Sequence, residues 1–395
     1  MLLTAALFLC RFATLDVGDG MPYARIEDAV AAAKPGDSIS VHPCALGYPR
    51  TAVLIDKSNL HIGSAQMPAI KLDGEGFDYS GQGQTPRAIF QIGPNAKDVT
   101  IQDFELVNAH NGSFNGAGVR IDGARNVRIY RCSIHGNDMG VMSNGRQGDT
   151  RSGEHQVIST CEIYGNGNLG EAGYNHNLYL GGASVRIEEC IIHDALTGHN
   201  LKSRAHFTRV EDSHLYGGDN RQIDLVDSWD TARPDSNAVI YNSVIEENPA
   251  AKGNRNVIHF GQESGRRVGH LYLINDTIRT SSSSPVVLLD SPDASVEMDN
   301  CLVVNPEEAN PVLVAFGKGA LPAAFTGHAN VIGYGYHFET LESTIALTRD
   351  QSRHLPEKFP GWRLYEASWL DELGAQEFVG RKEVGAANLN WKPIP

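Results

Sequence analysis

The residues best suited to chemistry lie between positions 176 and 260. Tyr179, Lys202, Asp224 and His259 each occupy the centre of a short alternating run: Leu178-Tyr179-Leu180, Leu201-Lys202-Ser203, Ile223-Asp224-Leu225 and Ile258-His259-Phe260. In a β-strand successive side chains point to opposite faces, so the flanking residues go inward and the four central ones share one outer, solvent-facing column. Two positions before the first three stand Asn177, Asn200 and Gln222, and one position earlier again His176, His199 and Arg221; Arg204 follows Lys202. A merely solvated strand face mixes Thr, Ser, Glu and Lys and holds few histidines. This concentration of His, Asn, Tyr, Lys, Arg and Asp is a candidate site.

Such a set suits removal of a proton α to a uronate carboxyl followed by loss of the 4-linked sugar, which needs a base, a proton donor and a group to neutralise the carboxylate. Lys202 is the first choice for base or carboxylate anchor, then His199 and His176, with Tyr179 or Arg221 as donor. Arg204, Asn177, Asn200, His259 and Asp224 complete the site as substrate contacts. A base must be uncharged, and an aspartate one strand away favours the ammonium form of a lysine. Two arrangements resolve this: Asp224 holds Ca²⁺ together with Asp219 or Asp227, or a histidine is the base, Tyr179 the acid and Lys202 the anchor. Asn177 and Asn200 have a purely structural reading too, as a stacked amide ladder that stabilises turns. Glycoside hydrolysis needs two carboxylates across the scissile bond, for which Asp224 with Asp227 or with Glu263 are the pairs available. Epimerisation of a uronate, and polysaccharide binding without catalysis, are further alternatives.

The elements that position these residues are read from a repeat. The phrase apolar-x-apolar-x-x-small-x-apolar runs from Val127 through Ile129 and Cys132 to Ile134. It returns at Ile158-Cys161-Ile163, Val185-Ile187-Cys190-Ile192, Val210-Ser213-Leu215, Ile240-Ser243-Ile245, Leu273-Asp276-Ile278 and Met298-Cys301-Val303, beginning no later than Ile101-Phe104-Leu106. A period of roughly 28 residues, made of short runs that alternate in twos and stop at Gly, Asn or Asp, predicts a solenoid of strands, a parallel β-helix. With 41 glycines in 395 residues, the composition suits a coil with several sharp corners per turn. A solenoid grows by adding rungs, so the length requires only one domain.

A net charge of −14 argues against nucleic acid as partner, since a basic face supplies most of that affinity. The expected partner is an acidic polysaccharide or oligosaccharide, met by a monomer. Cys132, Cys161 and Cys190 fall at equal intervals in one interior column and are expected as buried free thiols, with no Cys/His spacing for structural zinc. Residues 1–12 read as the remnant of an export signal, too short to span a membrane, which places the protein in the periplasm or outside the cell. Residues 26–33 read as an amphipathic helix capping the first rung. The β-helix is expected over 13–319 and an irregular C-terminal cap over 320–395, with 341–347 and 369–378 helical or irregular.

The segment Pro35-Gly36-Asp37-Ser38-Ile39-Ser40-Val41, which ends the cap, resembles the opening of pectate-lyase-like right-handed β-helix proteins, and Val384-Gly385-Ala386 resembles their closing segment. The resemblance covers about residues 13 to 305 and implies an all-β, right-handed parallel β-helix. Within it, Asn200-Leu201-Lys202-Ser203 resembles the Asn-Lys-Ser segment of polysaccharide lyase family 6, the alginate lyase and chondroitinase B group. There the lysine is the base, and an arginine on the following rung, within Leu-Arg-His-Gly, assists the leaving group. Here the following rung reads Gln222-Ile223-Asp224-Leu225, so Arg221 or Arg204 would have to substitute. Polygalacturonase segments Asn-Thr-Asp and Gly-Asp-Asp are absent from the sequence.

Overall fold

A computed structural model describes residues 12–67, 69–305, 310–333, 336–340 and 343–346. Three parallel sheets run the length of the stack, and each coil contributes one strand to each; in the order in which a coil visits them, the first, second and third sheets have 12, 11 and 12 strands among the described residues. The first sheet opens with Thr14–Val17 and Ser38–Val41. Between these two strands lies the helix Ile26–Ala32, whose Ile26, Ala29 and Val30 are buried at the three-and-four spacing of an apolar helical face. The helix packs against the first two strands and Val53–Ile55, and so closes the apolar end of the coil.

The repeat phrase maps onto the first sheet and the corner after it. Ile101, Ile129, Ile158, Ile187, Val210, Ile240, Leu273 and Met298 lie in register, one on another, in the interior. The chain then turns through a residue with left-handed backbone: Arg131, Thr160, Glu189, Asp212, Asn242, Asn275 and Asn300 all have φ between 47° and 59°. That conformation is strained for most residues and tolerated best by Asn and Asp, which fill four of these seven corners.

At four corners the residue that follows catches a backbone N–H from the coil before it. Cys190 N–H donates to Ser213 Oγ (3.1 Å), Ser213 N–H to Ser243 Oγ (3.2 Å), Ser243 N–H to Asp276 Oδ1 (2.8 Å) and Cys301 N–H to Asn330 Oδ1 (2.8 Å). Cys132, Cys161, Cys190 and Cys301 are buried free thiols in this column.

The stack extends past position 319. Phe325–His328, Val331–Ile332 and His337–Glu339 add strands to the three sheets, and Thr344–Ala346 pairs antiparallel with His337–Glu339. The expectation of helix or irregular chain over 341–347 is thereby corrected for 344–346, because the last coil leaves a row of unpaired backbone groups that a returning strand satisfies. The expected export segment, Phe12 apart, and the stretches 369–378 and 384–386 lie outside the described residues.

Asp276 is the one carboxyl in the corner column among the described residues, and it is fully buried. Its oxygens accept from Ser243 N–H and Ile274 N–H, yet burial pushes its carboxyl well above 3.8. A carboxyl raised in the folded state contributes stability in full below its unfolded value of about 3.9, and loses it as pH rises through the folded value. Asp276→Asn, which copies Asn330 two coils on, is therefore expected to raise stability at neutral pH by on the order of 1–3 kcal/mol, with the gain shrinking toward zero as pH falls below about 4. Urea denaturation across that pH range checks it.

Candidate active site

The third sheet carries the site. Its strands Met139–Asn144, Leu178–Leu180, Leu201–Ser203, Ile223–Leu225 and Ile258–Gly261 place Met142, Tyr179, Lys202, Asp224 and His259 in a single outward column, each paired with the next. Leu178, Leu201, Ile223 and Ile258 point into the core and are fully buried. The alignment expected from sequence is therefore present. Exposure differs from expectation: although outside the coil, Lys202 is 8%, Asp224 0% and His259 2% exposed. Neighbouring arginines, and the loop carrying Glu263, cover them.

Asp224 is the centre of the cluster. Its Oδ1 accepts from His259 Nδ1 (2.8 Å) and Arg221 Nη1 (3.0 Å), while Oδ2 faces His199 Nε2 and Lys202 Nζ, each at 3.2 Å. Burial alone would push this carboxyl up, but His199, His259 and Arg221 outweigh it and hold it well below 3.8. His259 continues outward from the cluster, its Nε2 lying 3.7 Å from Asp290, which in turn meets Lys318 Nζ at 3.1 Å.

His176 and His199 stack with ring centroids 4.9 Å apart, and both are 3% exposed. His199 N–H donates to His176 Nδ1 at 3.1 Å, which leaves the His176 ring proton on Nε2. Burial lowers His199 to about 4 and, with His199 and Lys202 nearby, takes His176 well below 6.5, so both rings are neutral at pH 7.

Above this buried layer lies a second one that reaches solvent. Glu263, its side chain 39% exposed, bridges Lys202 Nζ and Arg204 Nη2 with its two carboxylate oxygens. Arg204 Nε also donates to Tyr179 Oη (3.1 Å), and Tyr179 stands edge-on to His176 with centroids 5.3 Å apart. Asp227 fixes the Glu263 loop by accepting backbone N–H groups from Glu263, Ser264 (3.2 Å) and Gly265 (2.6 Å). Arg204 and Lys202 together hold Glu263 well enough to lower its carboxyl below 4.5 despite partial burial.

Among solved structures the chain is similar to pectate lyase Pel9A, with 15% identity and a TM-score of 0.50 over 95% of this chain and 96% of that one. It is also similar to an alginate lyase from Paenibacillus sp. str. FPU-7 (15% identity, TM-score 0.43, 77% of this chain and 98% of that one). A third is the pectin methylesterase PemA from Erwinia chrysanthemi (13% identity, TM-score 0.38, 87% and 92%). The fold is the pectate-lyase-like right-handed parallel β-helix. At these identities the likeness is one of fold. No protein-family model and no curated protein matches the sequence.

On this β-helix three sets of expected site residues take other places. Asn177 and Asn200 are fully buried members of a ladder, Asn137–Asn166–Asn177–Asn200–Gln222, in which each side-chain amide N–H donates to the next side-chain oxygen (3.0, 2.9, 2.8 and 2.6 Å). They hold the corner into the third sheet and do not reach its outer face, which corrects their reading as substrate contacts. Asp219 Oδ1 accepts Lys252 N–H, Asp227 is consumed by its loop and Asp224 by its cationic partners. Among the described residues no group of three or more His, Cys, Asp or Glu side chains converges as metal ligands, so these aspartates do not fit a shared Ca²⁺ site. The pairs Asp224/Asp227 and Asp224/Glu263 fail as glycosidase pairs for the same reason: Asp224 is wholly buried and Asp227 is 4% exposed.

In the sequence Glu263 stands out only as a member of that hydrolytic pair, and Asp290 and Lys318 do not stand out as site residues. Asp290 carried a usable signal, since it pairs with Gly261, two positions beyond the column, on the following rung. Lys318 stands on a turn with φ 43° and carried none.

Asp224→Asn breaks a buried charged hub and is expected to cost about 3–5 kcal/mol of stability near pH 7. A carboxyl depressed in the folded state contributes stability that is complete above its unfolded value and lost as pH falls through the folded one. The difference between wild type and variant should therefore narrow only below about pH 4; denaturant titrations at a series of pH values read it.

Proposed function

We propose that this β-helix acts on an acidic, uronate-containing polysaccharide and cleaves it by β-elimination at the surface layer formed by Tyr179, Lys202 and Arg204. The observation that carries this reading is the bridge from Glu263 to Lys202 and Arg204: two cations already hold a carboxylate, with the Tyr179 phenol oxygen hydrogen-bonded to one of them. A uronate carboxylate displacing Glu263 takes up the same two charge-assisted contacts. Binding there withdraws charge from the carbon α to the carboxylate, so that its C–H can ionise.

Tyr179 is the proton-transfer group hydrogen-bonded to the cation at that position. Arg204 Nε donates to its oxygen and stabilises negative charge on it. As phenolate, Tyr179 takes the α proton, the C–H electron pair becomes the new carbon–carbon double bond, the bond to the 4-linked oxygen breaks, and the phenol returns the proton to that departing oxygen. Lys202 serves as anchor here rather than base, because its Nζ is ion-paired with Asp224 at 3.2 Å and with Glu263. His176 and His199, each 3% exposed, orient the layer from beneath, as do Asp224, Arg221 and His259.

The same proposal includes action as a monomer after export to the periplasm or beyond. No helix among the described residues is long and apolar enough to cross a membrane.

Incubation with pectate, alginate and glycosaminoglycan polymers, followed by ultraviolet absorbance of the conjugated product, tests the reaction class. Tyr179→Phe is expected to lower kcat by roughly 10²–10⁴-fold with little change in KM. Lys202→Ala should raise KM as well as lower kcat, and Glu263→Gln should lower KM severalfold by vacating the carboxylate position. Absence of unsaturated product from all these polymers, or a wild-type rate in Tyr179→Phe, overturns the reading.

A further inference from the structure

We infer that the hollow beside Arg87, Gln91 and Arg120 is a second sugar subsite, which takes a carboxylated residue of the same polysaccharide about three units from the one held at Lys202. This inference rests on the acidic-polysaccharide reading above. The outward column that contains the site continues toward the N-terminal end of the stack, Lys202 pairing with Tyr179, Tyr179 with Met142, Met142 with Arg120 and Arg120 with Gln91. Arg120 is therefore three rungs from Lys202, roughly 14 Å along the axis, and Arg87, beside Ala88 on the rung of Gln91, is four. A 1,4-linked pyranose chain advances by about the height of one rung per residue, so a chain laid along this face brings every residue opposite a rung.

The hollow has a volume of about 230 Å³, room for one sugar ring, and Leu54, Gly81, Thr85, Arg87, Gln91 and Arg120 are among the residues that line it. Between it and Lys202 run Met142 and Tyr179, half-buried and packed on Ala88, Ala117 and Met139. Polar ends joined by an apolar strip suit a chain of pyranoses, whose ring faces are apolar and whose edges carry hydroxyls and carboxylates.

The charge in the hollow favours a carboxylate. Asp122, on its wall, is already satisfied by Arg120 Nε (2.9 Å) and Gln91 Nε2 (2.8 Å). Arg87 makes no ion pair among the described residues, so its guanidinium supplies an uncompensated positive charge. Its side chain lies across Gly81, where an added Cβ would come within 1.9 Å of Arg87 Nε; Gly81 also has φ +69°. A glycine at that position both makes the turn and leaves the channel in which the arginine rests, so the guanidinium is positioned before any ligand arrives.

The test compares Tyr179→Phe, which removes turnover, with the double variant Tyr179→Phe/Arg87→Ala, by isothermal titration calorimetry with oligogalacturonates and oligomannuronates two to six residues long. The expected result is an affinity that steps up by about tenfold once the oligomer reaches four or five residues, one charge-assisted contact's worth, and loss of that step in the double variant with its melting midpoint kept. Should Arg87→Ala not fold, Arg87→Gln, which keeps a stem over Gly81, is read the same way. Oligomers that bind without a length step, or with a step that survives loss of Arg87, overturn the subsite and leave the proposed reaction standing. No binding of any oligouronate to either protein overturns both.

Discussion

Hydrogen bonding between successive coils is the constraint on which everything else rests. It sets each residue over its counterpart one rung away, about 4.8 Å distant, so a side chain's nearest neighbours are the residues at the same place in the coils above and below. Each column must then tolerate its own repetition. Aliphatic residues do so in the interior, and small acceptors do so at the corner, where each catches an N–H. Flat rings do so on the outer face of the second sheet, where His135, Tyr164, His193 and Tyr216 stack with centroids 4.6, 4.9 and 4.9 Å apart.

The candidate site obeys the same rule and gains its chemistry from it. Like charges repeated at rung spacing repel strongly where water is excluded, and the column avoids this by alternating: Lys202 is followed by Asp224, and Asp224 by His259. The alternation allows burial. Asp224 can lie wholly out of water because two cationic side chains and two imidazoles surround it, and the hub then fixes Lys202 in place beneath the surface. Glu263, fixed by a loop rather than by the register, is the one member of the charged set that can leave without disturbing a coil.

What the sequence made legible was whatever has a period. The strands, the corner thiols and the outward column of Tyr179, Lys202, Asp224 and His259 follow from alternation in twos and recurrence by coil, and the capping helix from its three-and-four spacing. Burial of that column was not legible, because its cover comes from loops joined by long-range contacts, Asp227 to residues 263–265 and Lys318 to Asp290. The two uses of Asn177 and Asn200 look the same in sequence, as an amide beside the column; only the continuous ladder from Asn137 to Gln222 separates them. The stack also outlasts its signature. Phe325–His328 still pairs with the strand before it although Gly327 stands where the phrase has an apolar residue, since backbone pairing requires no particular side chain.

The net charge of −14 and the proposed polyanionic substrate are reconciled by where the charges can be reached. On the third-sheet face Asp122, Asp224, Asp227 and Asp290 are each engaged by a cation or by backbone N–H groups. A carboxylate so engaged presents little field outward, while Arg204 is held by the part-exposed Glu263 and Arg87 lines an open hollow. Repulsion from acidic residues elsewhere is screened beyond about 8 Å at physiological ionic strength, so it weakens encounter more than it weakens binding. Attraction is then felt only by a polyanion whose carboxylates meet those cations in step, and the rung spacing sets that step. On the proposed reading, the selection of an acidic chain comes from register and not from overall charge.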